Sequence, residues 1–94
     1  MFDIVSSEIK EYLLTKFPHD ITDIGMEQSI IHTGLVDSIS VVMVILFLEE
    51  RFSITFNEQD LSPDYFDTIS GMSNLVIRKI NHMRNERNGH AYEL

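Results

Sequence analysis

The chain has 94 residues, of which 44% are hydrophobic and none is cysteine; this is enough for one domain with a single core, and it excludes disulfides and thiolate metal sites. Its 15 acidic residues against 7 basic ones give a formal net charge of −8, which disfavours binding to nucleic acid and to anionic membranes. We therefore expect partners that present basic surfaces.

The first segment has the period of a helix. Its apolar residues recur at steps of three and four, so they share one stripe. Phe17-Pro18 predicts the end of this helix, because the residue before a proline avoids helical angles. The stripe consists of Val5, Ile9, Tyr12, Leu13 and Phe17.

A long stretch without sustained periodicity follows, from about residue 19 to residue 37. Loops of this length are uncommon in compact domains and either carry function or pack by their own apolar residues. We predict an ordered loop held against the core, because this one contains Ile21, Ile24, Met26, Ile30, Ile31, Leu35 and Val36.

A second helix is predicted from Ser38 to about Phe52, with Asp37 or Ser38 as its N-cap. Many of its residues are β-branched, which by propensity alone favours a strand. The length of the run and its polar end, Glu49-Glu50-Arg51, favour a helix instead.

The rest of the chain predicts one short helix and one long one. Ser62 can cap a short helix with Pro63 in its first turn, anchored by Tyr65 and Phe66. Thr68 can cap the last helix, whose apolar face consists of Ile69, Met72, Leu75, Val76, Ile80 and Met83. We place Asn74, Arg78 and Lys79 on its outer face.

Together these elements predict an all-α fold. It is a small antiparallel four-helix bundle, with three main helices, one short helix and a long ordered loop between the first two. We expect one domain over residues 1–87 and a frayed C-terminal tail over residues 88–94.

Several kinds of site and location find no support in the sequence. The acids Glu58, Asp60, Asp64 and Asp67 lack the ligand spacing of a calcium loop, so we assign them to a solvated surface. No pair of histidines has a metal-binding spacing, and no catalytic constellation or phosphate-binding loop is present, so we expect neither a metal site nor an enzyme. The start lacks the pattern of a signal peptide, and the longest apolar run is too short to span a bilayer, which predicts a cytoplasmic protein without membrane insertion. We also expect it to be a monomer.

The most informative segment is Gly34-Leu35-Val36-Asp37-Ser38-Ile39. It places a serine hydroxyl at the predicted start of a helix, where free backbone amides and the helix dipole favour an attached phosphate. Serine at such a position is most often only a helix cap, so the segment by itself leaves both roles open.

This segment resembles the Asp-Ser-Leu motif of acyl and peptidyl carrier proteins, with Ile39 in the place of leucine. The residues before it, Ser29 to Val36, are similar to the loop that precedes the modified serine in that family. Leu48 to Ile54 resembles the exit of the family's second helix, and Asp60 and Thr68-Ile69 fall where the family has an acid and the cap of its last helix. The resemblance covers roughly residues 5 to 80.

The resemblance implies a carrier that is modified rather than catalytic. A phosphopantetheinyl transferase would move 4'-phosphopantetheine from coenzyme A onto Ser38, beside the motif residue Asp37. The arm would carry acyl or aminoacyl groups as thioesters between a loading ligase and downstream transferases or synthases. Fatty acid, polyketide and nonribosomal peptide biosynthesis all remain open, and the alternative is an unmodified helical adaptor or structural subunit of a larger complex.

The resemblance also implies a docking face on the second helix. Ser40, Met43, Phe47 and Glu50 would face partners, while Ile39, Val42, Ile45 and Leu48 would face the core. Carriers of fatty acid synthesis typically have acids along the docking face, whereas this chain has Met43 and Phe47, with Leu46 nearby. Either the helix is buried under the long loop, or these residues form an exposed apolar patch for a dedicated partner. We favour the second interpretation, which points to a specialised carrier.

Overall fold

The computed structural model describes residues 1–17 and 23–93 of the chain, and the side chains as far as Arg84. It contains four α-helices: α1 (Phe2–Lys16), α2 (Ser38–Phe52), α3 (Pro63–Phe66) and α4 (Ile69–Glu93). One 3₁₀ turn, Glu58–Asp60, precedes α3. The described residues form no strand, so the all-α prediction is confirmed.

Helices α1 and α4 form the centre of the molecule. Val5, Ile9 and Leu13 of α1 are buried, as predicted, while Tyr12 and Phe17 are half-buried. Helix α4 packs along α1 and also contacts α2 and α3, and it buries Ile69, Met72, Leu75 and Val76. The predicted end of α1 is confirmed at Lys16, whereas Pro18 and Ile21 lie outside the described residues.

The loop before α2 is held against this core, as the sequence predicts. Ile24, Ile30 and Val36 are buried, and each is at most 3% exposed. Ile31 and Leu35 are half-buried and pack against the core from outside. Met26 is exposed, so the other apolar residues of the loop act as its anchors over the described part, residues 23–37.

Two close contacts shape the second half of the chain. Thr68 caps α4 as predicted, because its Oγ1 accepts a hydrogen bond from the Gly71 amide at 2.9 Å. A Cβ on Gly71 would lie 2.7 Å from the carbonyl oxygen of Tyr65, so this turn of α4 can approach the backbone of α3 only with glycine here. Phe66 is buried, while Tyr65 is exposed, so Phe66 is the anchor of α3.

The prediction that Lys79 lies on the outer face of α4 is wrong. Lys79 is buried, and its Nζ lies 2.8 Å from Oδ2 of Asp60, which was predicted to be a solvated acid. The carboxylate of Asp60 also accepts a hydrogen bond from the amide of Asn57. The long aliphatic stem of lysine allows this residue to cross an apolar surface and still place its charge on a partner.

Helix α4 continues to Glu93, through the residues predicted to fray. Asn74 and Arg78 lie on its exposed face as predicted, while Ile80 and Met83 are half-buried. Fraying of residues 88–94 stays a prediction, as does the domain boundary at residue 87.

Candidate functional site

Ser38 is the first residue of α2 and is exposed. Asp37 is the N-cap of the helix, with an extended backbone conformation, and its Oδ1 accepts a hydrogen bond from the Ser40 amide at 2.7 Å. The Asp37 carbonyl oxygen accepts the first intrahelical bond, from the Val41 amide at 3.0 Å. The sequence left the cap open between Asp37 and Ser38; the structure assigns it to Asp37, so the Ser38 hydroxyl takes no part in the capping bond.

The cap also determines the charge beside Ser38. The hydrogen bonds that Asp37 accepts from Ser40 lower the pKa of its carboxyl group below the ordinary value. Asp37 is therefore ionised at neutral pH, and its negative charge lies at the positive end of the α2 dipole, where an anion is favoured.

The chain leading to Ser38 is a closed loop. The Val36 amide donates to the carbonyl oxygen of Ile30 at 2.9 Å, and the Gly34 amide donates to the carbonyl oxygen of Ile31 at 3.0 Å. Gly34 has φ +80, a left-handed conformation that a residue with a Cβ adopts only with strain. Because Ile30 and Val36 are both buried, the loop is anchored in the core directly before Asp37 and Ser38.

Asp67 ties this loop to the end of α3. Its Oδ1 accepts three hydrogen bonds, from the Ser29 hydroxyl and from the amides of Ile31 and His32, at 2.8, 2.8 and 3.2 Å. Its side chain is only 14% exposed, so the prediction that Asp67 belongs to a solvated surface is wrong. The loop partners lie 35 to 38 residues away in the sequence, a separation at which sequence reasoning has no local signal to use.

The two other acids of that group behave as expected. Glu58 and Asp64 are exposed.

No cluster of three or more metal-ligating side chains occurs within the described part of the chain. None of the helices, over the residues described, is long and apolar enough to cross a membrane.

One side of α2 carries an exposed apolar stripe. Ile39, Val42, Met43 and Leu46 are 76%, 53%, 45% and 58% exposed, and they recur at steps of three and four along the helix. Val44 and Leu48, on the opposite side, are buried. Of the two interpretations of the apolar helix, burial is wrong for this face, because Met43 and Leu46 are exposed; its role in docking a partner stays a prediction.

The composition of the patch differs from the prediction. Met43 and Glu50 are exposed as expected, and Leu48 is buried as expected, but the core positions assigned to Ile39 and Val42 were wrong. Ile45 is half-buried, and so are Ser40 and Phe47. Because α2 is apolar nearly all round, its sequence pattern does not distinguish the two faces.

Phe47 packs against α1 instead of being fully exposed. Its ring stacks on Tyr12, with the ring centroids 4.0 Å apart and the planes at 13°. One turn further along, Nε of Arg51 donates to Oε1 of Glu8 at 3.0 Å. These two contacts bind one flank of α2 to α1, and the exposed stripe lies beside that flank, where the Tyr12 hydroxyl also donates to the Met43 carbonyl oxygen at 3.5 Å.

Comparison with known proteins supports the fold. No protein-family model matches the chain, and no curated protein matches it by sequence. Among solved structures, the acyl carrier protein from Thermotoga maritima aligns over 87% of this chain and 93% of its own, with a TM-score of 0.66 and 18% sequence identity. At that identity the likeness concerns the fold, and the chain therefore has the four-helix fold of an acyl carrier protein.

Proposed function

We propose that this chain is an acyl carrier protein, modified by a phosphopantetheinyl transferase that attaches 4'-phosphopantetheine to Ser38. The observation that carries the proposal is an exposed serine at the first position of α2 whose capping role is taken by its neighbour Asp37. The site fits the group, because the hydroxyl is accessible and the start of a fifteen-residue helix favours the negative charge of a phosphodiester.

The attached group would supply a terminal thiol that holds an acyl or aminoacyl cargo as a thioester. The residues of this chain would do the remaining work. Ser38 provides the attachment oxygen, Asp37 fixes the start of the helix, and the loop before them is anchored in the core by Ile30 and Val36. In this proposal the chain catalyses nothing, and it acts in the cytoplasm within a specialised biosynthetic pathway, of the fatty acid, polyketide or nonribosomal peptide type.

The exposed stripe on α2 is the proposed docking face. It begins at Ile39, directly after Ser38, and ends at Leu46, one turn before the exposed Glu50. Exposed apolar patches on small proteins mark interaction sites, so a partner would bring an apolar groove to this face, with basic residues around it to match the net charge of −8. The partners are the transferase, the ligase that loads the cargo, and the enzymes that receive it.

Attachment is tested by intact-mass measurement. The chain is incubated with coenzyme A and a broad-specificity phosphopantetheinyl transferase, and the expected result is a gain of one phosphopantetheine group. Ser38→Ala should abolish the gain, while Ser7→Ala, which removes an exposed serine of α1, should leave it unchanged. An unmodified wild-type mass, under conditions that label a known carrier, would favour the alternative of an unmodified adaptor that uses the same apolar stripe.

A further inference from the structure

Asp67, at the end of α3, makes four hydrogen bonds with the loop before Ser38. Its Oδ1 accepts from the Ser29 hydroxyl, the Ile31 amide and the His32 amide. Its carbonyl oxygen accepts a fourth bond, from the Ile30 amide at 2.8 Å. Four consecutive residues of the loop, 29 to 32, are thus bound to a single residue at the end of α3.

These bonds lie at the closed end of the loop that leads to the modification site. Ile30 receives the hydrogen bond of the Val36 amide, at 2.9 Å, and Val36 is followed directly by Asp37 and Ser38. Between Ser29 and Val36 the chain reverses through Gly34 in the left-handed conformation. The direction in which Val36 leaves the loop therefore depends on where residues 29 to 32 are held.

The carboxylate is the part of Asp67 that a substitution can remove. Burial opposes its ionisation, but the hydrogen bonds from Ser29, Ile31 and His32 outweigh that effect, so the pKa of Asp67 lies below its ordinary value. Hydrogen bonds to a charged acceptor are stronger than those to a neutral one. Without this carboxylate, the Ile30 amide would still donate to the Asp67 carbonyl oxygen, and the Ser70 amide would still donate to the Met26 carbonyl oxygen at 2.9 Å. Residues 29, 31 and 32, however, would lose their hydrogen bonds to Asp67.

We infer that Asp67 is a positioning residue for the Ser38 site: it holds the loop in the arrangement in which Ser38 is presented to the modifying enzyme. This inference rests on the proposed function of Ser38. Loss of the carboxylate would let the loop open, so that only a fraction of the folded molecules would present the serine correctly. An enzyme that recognises that fraction would show a raised KM for the carrier, while its kcat would stay the same.

The test compares wild type with Asp67→Ala, Asp67→Asn and Glu58→Ala as substrates of a phosphopantetheinyl transferase. The expected KM for Asp67→Ala is about tenfold higher, at unchanged kcat. Asp67→Asn keeps an acceptor oxygen in the same place and should stay within about threefold of wild type. Glu58→Ala removes one acid from an exposed position and should behave as wild type.

Urea unfolding of each variant gives the folded fraction in the assay buffer. A raised KM in a variant that is fully folded is therefore caused by opening of the loop and not by global unfolding. If Asp67→Ala does not fold, Ser29→Ala removes one of the three bonds to Oδ1 and should raise KM about threefold. Where both variants fold, Ser29→Ala should have no further effect in the Asp67→Ala background, since the shared contact is already gone.

Hydrogen exchange separates this inference from the proposed function. The amides of Ile31, His32 and Val36 should exchange faster in Asp67→Ala than in wild type, whether or not Ser38 is modified. Unchanged exchange, or a KM equal to that of wild type in the folded variants, would overturn the role of Asp67 alone. Absence of labelling in the wild-type chain, with faster exchange in Asp67→Ala, would instead overturn the proposed modification and leave Asp67 as the residue that holds the loop.

Discussion

Asp60 and Lys79 form an ion pair at the edge of the core, between the 3₁₀ turn and α4. Each side chain is only 11% exposed, and Nζ lies 2.8 Å from Oδ2. Asn57 and Asp60 also cap each other reciprocally, each side chain accepting from the other's amide. Without Lys79, the carboxylate of Asp60 would keep the hydrogen bond from the Asn57 amide but would have lost its charge partner.

Removing the cation should destabilise the protein more than removing an exposed one. We expect Lys79→Ala to lower the free energy of unfolding by about 3 kcal/mol, because it leaves a nearly buried carboxylate without its charge partner. Arg84→Ala, at an exposed position of the same helix, should change it by less than about 0.5 kcal/mol. Urea unfolding at neutral pH measures both, and equal effects would contradict the account of the pair.

The stability of the protein should depend on pH in the acid range. Burial opposes the ionisation of Asp60, but the bonds from Lys79 and Asn57 outweigh that effect, so the pKa of Asp60 lies below its ordinary value. The pKa of Asp67 is lowered in the same way. A carboxyl group whose pKa is lower in the folded state stabilises fully above the pKa of the unfolded state, and this stabilisation is lost as the pH falls through the folded value. The free energy of unfolding should be nearly constant around neutral pH and fall below about pH 5.

Urea unfolding over that range checks the sign, and Asp60→Asn should have a shallower acid dependence than wild type. A free energy of unfolding that rises towards acid pH would contradict the predicted stabilisation by ionised Asp60 and Asp67. Neither Asp60 nor Asp67 could be assigned from the sequence, because Lys79 and the loop residues 29–32 that bind them lie many residues away and no local pattern connects them. Asp37 and Ser38 could be picked out, since a helix cap and the residue after it are adjacent in the chain.

At the scale of the helices, α2 has two different apolar sides. Val44 and Leu48 pack in the core, while Ile39, Val42, Met43 and Leu46 form the exposed stripe. The bounds of α2 agree with the prediction, Ser38 to Phe52, because the cap and the polar end are local features. Which side faces the core depends on contacts with α1 and α4, and a helix that is apolar all round does not encode that choice in its own sequence.

Leu46 and Leu48 offer a matched comparison of the two sides, being the same residue type on the same helix. Leu48, fully buried, should lose about 3 kcal/mol of stability on substitution by alanine. Leu46→Ala should change stability by less than about 0.5 kcal/mol. Urea unfolding measures both, and a large loss for Leu46→Ala would show that the stripe is not exposed in solution.

The same pair tests the docking proposal. Leu46→Ala should reduce kcat/KM for transfer to Ser38 about fivefold, as expected for the loss of about 1 kcal/mol of interface contact. Leu48→Ala, assayed where it remains folded, should reduce it less. Transfer to Leu46→Ala at the wild-type rate would remove the stripe from the docking surface of the transferase.

The whole molecule is organised around α4, which contacts each of the other three helices. The buried residues of α4, among those whose side chains are described, lie between Ile69 and Lys79. Ile80 and Met83, further along the helix, are half-buried. The fold is shared with an acyl carrier protein at 18% identity, so most residues of the bundle can differ while the fold is kept. Composition and periodicity were therefore sufficient to predict the fold class, while the loop contacts were not predictable.

The predicted tail should be dispensable for stability and for modification. A chain that ends at Arg87 keeps every buried residue of α4 that the structure describes, so its free energy of unfolding should stay within about 0.5 kcal/mol of the full chain. Its Ser38 should be labelled at the same rate. Urea unfolding and intact-mass kinetics of the shortened chain check both, and a clear loss in either would extend the functional domain beyond residue 87.

Attachment to one oxygen atom, that of Ser38, is tested most directly by peptide mapping. Cleavage after Lys16 and Arg51 releases a peptide, 17–51, that contains Ser29, Ser38 and Ser40, so fragmentation can separate the three positions. After labelling with coenzyme A and transferase, we expect the added phosphopantetheine group on Ser38. A group on Ser29 or Ser40, or a peptide of unchanged mass when a known carrier is labelled alongside, would contradict attachment to Ser38.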